Sequence, residues 1–134
     1  MAGTPDDDDD GMSPDIQWHR ADSFTVRNLA WDGSTNRYIY YLEYNANQTV
    51  GEWVCKYGKI TGYACGTIYQ KYYGGFNNLV ALTVDYGDSG GPWMIGNTAY
   101  GTTIAFVQLG GTIYSIYGPV DHISSILGVT VLTY

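Results

Sequence analysis

Gly87-Asp88-Ser89-Gly90-Gly91-Pro92-Trp93 is the stretch that decides how this 134-residue chain is read. Glycines on both sides of Ser89 permit a sharp turn with backbone amides facing inward, as a hydroxyl nucleophile beside an oxyanion-binding site requires. A glycine-rich hairpin turn is the other reading of the same residues. The surrounding chain has to separate the two.

Fourteen tyrosines and eighteen glycines against 14% charged residues suit twisted strands and tight turns better than surface helices. One all-β domain is therefore expected. The net charge of −7 is carried mostly by the run Asp6 to Asp10. The remainder is near neutral, with no basic stripe for nucleic acid and no basic amphipathic face for a membrane surface. No apolar run approaches the roughly 20 residues of a membrane span. Residues 1–14 read as a disordered acidic leader, since a calcium loop would need spaced ligands and a turn glycine that the run lacks. The first ten residues have neither the basic region nor the apolar segment of a signal peptide, so a secreted protein would be met here as a mature form or a fragment.

Asp15 to His19 alternates apolar and polar residues and predicts a strand, as do Ser23 to Arg27 and Tyr38 to Tyr44, with turn formers at Asp32 to Asn36. The tyrosines at 38, 40, 41 and 44 fall on both faces; we read them as packing, with a carbohydrate platform as the alternative. Cys55 and Cys65, the only cysteines, suit a hairpin closed by a disulfide in an oxidising compartment. Neither His19 nor His122 has ligand spacing to them, so no metal and no cofactor is expected. Further strands are expected at Leu79 to Val84, at Trp93 to Ile95 and Tyr100 to Val107 around Gly96-Asn97, and at Ile113 to Tyr117. Val120, Ile123, Ile126 and Leu127 fall at helical spacing between Pro119 and Gly128, which predicts a short amphipathic helix.

The heptad GDSGGPW resembles the nucleophile loop of the chymotrypsin-like (trypsin-fold) serine proteases. The run from Val54 to Ile68, VCKYGKITGYACGTI, narrows that resemblance to the bacterial secreted enzymes of the streptogrisin and α-lytic type. The resemblance covers residues 15–134 and is strongest over 51–134. It implies an antiparallel six-stranded Greek-key-type barrel, the second barrel of that fold, followed by a C-terminal helix. It also implies secretion and a polypeptide substrate. Ser89 would be the nucleophile, the amides of Gly87 and Ser89 the oxyanion hole, and Asp88 a buried carboxylate locking the loop with Lys56 as its partner, unless Lys56 is a solvated hairpin residue. Asp15 would be the triad aspartate, unless it is an ordinary turn residue after Pro14. Thr83, Ile104, Ala105 and Phe106 would contact substrate.

Three departures temper the functional expectation. The family's histidine segment has no counterpart, and neither His19 nor His122 stands at its position, which leaves a serine hydroxyl without a general base. Val84-Asp85-Tyr86 replaces the cysteine-bearing wall of the specificity pocket, and Phe106 brings bulk that could fill it. The expected function is a serine endopeptidase domain acting through an acyl-enzyme on Ser89 and inactive alone. The alternative is a non-catalytic peptide-binding or self-assembling subunit. Because the second barrel of this fold has a face built to be covered, we expect either residues 15–50 to fold over it or association with a second copy or a histidine-bearing first barrel.

Overall fold

The computed structural model describes residues 27–128 and 130–133. Asp15 and His19, the strands expected at 15–19 and over most of 23–27, and the acidic run lie outside the described residues. Three short strands precede the barrel. β1 (Leu29–Trp31) and β2 (Asn36–Tyr38) form an antiparallel hairpin. Its turn is organised by buried Asp32, whose carboxylate accepts the amides of Ser34 and Thr35, the Ser34 hydroxyl and the Arg37 guanidinium. β3 (Tyr41–Leu42) lies parallel to the start of a later strand.

The continuous strand expected over 38–44 is broken. Ile39 is buried and hydrogen-bonds to Asn28, whereas the amides of Tyr40 and Tyr41 turn to the Asn97 carbonyl. The packing reading of the tyrosines is corrected as well. Tyr38, Tyr40, Tyr41 and Tyr44 are all exposed, and the rings of Tyr38 and Tyr40 stack on each other at 5.9 Å.

The barrel begins with β4 (Trp53–Gly58) and β5 (Gly62–Tyr73), antiparallel, with Cys55 opposite Cys65 and the two bonded. Bulges between Ile68 and Tyr73 bend β5, so that its first half pairs with β4 and its second with β6 (Asn77–Val80). β7 (Pro92–Ile95) turns at Gly96-Asn97 into β8 (Thr98–Leu109), which pairs with β7 near its start and with β9 (Thr112–Pro119) over the remainder. β7 also pairs with β4, and β9 with β6. Around the closed six-stranded barrel the order is β4, β5, β6, β9, β8, β7 and back to β4, a Greek-key succession. The expected strand over 79–84 ends at Val80, because the Leu82 carbonyl is taken by the Ser115 hydroxyl and its amide turns back to Val80. The predicted helix is present as α1 (Val120–Leu127), closed by Gly128 in the left-handed region.

Val54, Ile68, Val80, Trp93, Tyr100 and Tyr117 make the core. Trp93, the last residue of the heptad, is fully buried, stacks on Tyr117 at 4.9 Å and donates its indole N–H to the Thr103 hydroxyl at 2.8 Å. The loop carrying Ser89 thus leads straight into the core of the barrel. At the barrel's end the Asn78 amide donates to Asn45, Gln48 and Tyr117, while Gln48 donates to the carbonyls of Glu43 and Tyr100. Leaving any of these buried groups unpaired would cost about 1–3 kcal/mol, so the network pins residues 43–48 to the barrel.

Candidate active site

Asp88 anchors the loop. It is 1% exposed, and its Oδ1 accepts the amides of Ile60 at 2.7 Å and Thr61 at 3.1 Å. Its Oδ2 accepts the Asp85 amide at 2.9 Å and the Thr61 hydroxyl. Burial alone would push this carboxyl up, but the Thr61 hydroxyl and the three amides outweigh it and hold the pKa at about 2. Gly58 makes the approach possible: a Cβ there would stand 2.3 Å from Asp88 Oδ1. The loop itself turns through Gly87 at φ +95°, a conformation open to glycine and costly for other residues.

Lys56 reaches this carboxylate through Thr61. Its ammonium donates to the Thr61 hydroxyl and to the Gly62 carbonyl, and that hydroxyl donates to Asp88. No direct ion pair joins Lys56 to Asp88; the expected partnership runs through one intervening hydroxyl. Lys56 is nevertheless 1% exposed. Burial draws its pKa below the ordinary value, opposed by the Asp88 charge.

With Asp88 tied back, Ser89 is exposed, and its Oγ makes one long contact, 3.4 Å, to the Ile104 carbonyl. Gly90 donates to Thr103 and Gly91 to Asp88, whereas among the described residues the amides of Gly87 and Ser89 donate to no acceptor. A hydroxyl flanked by two uncommitted N–H donors is an arrangement suited to attack on a carbonyl whose oxygen becomes negative.

Ser89 lines a cavity of about 210 Å³. One wall is Val84, Asp85 and Tyr86; the other is Thr103 to Phe106. Of the residues expected to contact substrate, Ile104, Ala105 and Phe106 are brought together here beside Ser89, and Thr83 is not among the lining residues. Phe106 does not fill the space. Its ring meets Tyr86 edge to face at 5.6 Å. The wall is held without a disulfide, by the bond from Ser115 to Leu82 and those from Asp85 and Tyr86 to acidic side chains.

No histidine lines the cavity beside Ser89 among the described residues. His122, on α1, stacks on Phe76 at 4.4 Å and is not part of the cavity. Burial pushes its pKa down, against a smaller opposing effect of Asp121. Nor do three His, Cys, Asp or Glu side chains cluster as metal ligands among the described residues.

No family model matches the sequence, and no curated protein matches it. Solved structures do. Thermobifida fusca protease A is 26% identical, with a TM-score of 0.74 over 90% of this chain and 69% of that one. The chain has the fold of the bacterial chymotrypsin-like serine proteases. It corresponds to their C-terminal barrel. Cellulomonas bogoriensis chymotrypsin matches at 21% identity and TM-score 0.74, over 88% of this chain and 68% of its own. A protease described as glutamic acid specific, with a histidine triad in substrate binding, matches at 22% and 0.70 over 86% of this chain. The chain spans 65% of that enzyme's length.

Within this protease fold, three residues carry more than sequence reasoning assigned them. Thr61 relays Lys56 to Asp88, Ser115 fixes the pocket wall from across the barrel, and Asp85 donates its amide to Asp88 and lines the cavity. Thr61 lies inside the motif that carried the resemblance, yet only its three-dimensional position reveals the relay.

Proposed function

We propose that this chain is the nucleophile-bearing barrel of a secreted serine endopeptidase. The observation that carries the proposal is the fourfold tether on Asp88, which leaves Ser89 exposed beside a cavity with two uncommitted amides flanking it. The Ser89 oxygen would bond to the scissile carbonyl carbon while its proton passes to an imidazole, with the amides of Gly87 and Ser89 receiving the oxyanion. The C–N bond then breaks as the amine takes that proton, and water hydrolyses the resulting ester. Asp15 would orient the imidazole. A histidine-bearing first barrel, in the same polypeptide or another, would supply the base, so the chain alone is expected to be inactive toward peptides. The Cys55–Cys65 bond supports an oxidising, extracellular setting.

The glutamate preference named for one structural neighbour does not carry over. No histidine or other cation lines this cavity among the described residues.

A non-catalytic peptide-binding or self-assembling role is the second reading, favoured by the single long contact of Ser89 Oγ to a carbonyl where a base would be needed. Labelling with a fluorophosphonate separates the two. The expected result is slow labelling that rises with added imidazole as an external base and disappears in Ser89→Ala. Identical labelling of both proteins, with and without imidazole, would leave the non-catalytic reading standing.

A further inference from the structure

We propose that the cavity beside Ser89 selects a cationic side chain, arginine- or lysine-like, and that Asp85 with the Tyr86–Phe106 aromatic pair determines this preference. The assignment of the cavity to a substrate side chain rests on the endopeptidase reading; its charge preference does not.

The sign of the cavity is one-sided. Asp85 is the only charged residue on its lining among the described residues. The Asp85 side chain keeps acceptor capacity for a ligand, because Oδ1 receives only the neighbouring Tyr86 amide at 2.7 Å. A second carboxylate, Asp88, lies directly behind it, joined by the Asp85 amide at 2.9 Å. Lys56, which offsets Asp88, sits beyond Thr61 and is not on the lining. An anionic ligand with its charge beside Asp85 would meet a like charge and no cation on the lining.

The aromatic rings add a second, independent preference. Tyr86 is 85% exposed and Phe106 37%, and they meet edge to face at 5.6 Å. The edge of one ring covers one face of the other, and the highly exposed Tyr86 keeps ring surface open to solvent. A guanidinium or ammonium over the open face of Tyr86 gains cation–π attraction on its way to Asp85. The walls of Val84, Ile104 and Ala105 suit the aliphatic stem of such a side chain, which buries apolar length and carries its charge at the tip. A volume of about 210 Å³ is several times the roughly 30 Å³ that one water occupies in the liquid, enough for a long side chain.

The test uses small probes and needs no catalysis. Butylguanidinium, neutral pentanamide and anionic pentanoate are titrated into the full chain, with binding followed by amide shifts of Ala105 and Phe106. Butylguanidinium is expected to bind at least tenfold more tightly than either other probe. Asp85→Asn should remove that preference, Asp85→Glu should retain most of it, and Phe106→Leu should weaken it severalfold. Equal binding of pentanoate, or a butylguanidinium affinity unchanged in Asp85→Asn, would overturn the proposal. Fluorophosphonate labelling reports on Ser89 alone, so loss of that reading with cation binding intact is distinguishable from the reverse.

Discussion

Lys56 and Asp88 face each other across a single hydroxyl, that of Thr61, which accepts from the ammonium and donates to the carboxylate. Both charged groups are buried, so this hydroxyl is the connector on which two costly desolvations depend. Thr61→Val should destabilise the protein by about 1–3 kcal/mol, since it strips a partner from each buried group at once. Thr61→Ser should stay close to wild type. Lys56→Met should cost clearly more than the ~0.5 kcal/mol of an ordinary surface change. Denaturant melts decide this, and an unchanged Thr61→Val midpoint would mean that the relay carries no weight.

The depressed pKa of Asp88 makes a prediction about acid. The folded value of about 2 lies below the ordinary 3.8, so the folded state holds its proton less readily than the unfolded chain. Its contribution is therefore fully present above pH 3.8 and is lost as pH falls through about 2. Asp88→Asn should be less stable than wild type at neutral pH, with the gap closing across that acid window. A gap of constant size down to pH 2 would contradict the assignment.

The Cys55–Cys65 bond closes a short loop within one hairpin, so its loss should cost roughly 2–3 kcal/mol without changing the fold. Intact mass with and without reductant checks the bond, and melts of the double serine variant check its weight. Two free thiols under oxidising conditions would refute it.

Tyr38, Tyr40, Tyr41 and Tyr44 present four exposed rings within one short stretch. Aromatic side chains of this kind suit interfaces that stay partly wet, and patches of them on a monomer call for a partner. Association is expected. Light scattering over a dilution series should give a mass above the monomer that falls with concentration; a monomeric mass throughout would show that the chain needs no second copy.

Much of the barrel was legible in advance because its signals are local. The cysteine hairpin, the turn at Gly96-Asn97 and the helix between Pro119 and Gly128 each announce themselves within a dozen residues. Ser89, Ile104, Ala105 and Phe106 were likewise named before the cavity joined them. What escaped was long-range. The Ser115 hydroxyl ends the strand before the loop by taking the Leu82 carbonyl, and Gln48 is held by Tyr117 from far along the chain; neither leaves a periodicity to read. The tyrosines at 38–44 misled for a related reason: a run rich in tyrosine signals a strand, but the acceptor offered by Asn97 lies on another hairpin.

The two longest strands, β5 and β8, each join two neighbours within the barrel, β4 and β6 for the first and β7 and β9 for the second. Neither strand can leave without opening two seams, so no hairpin of the barrel is separable as an independently melting piece. Hydrogen exchange should accordingly show amides of both bent strands opening together at the free energy of global unfolding. The rigidity that holds Ser89 in place is then a property of the whole ring, and a lesion on its far side would be felt at the serine.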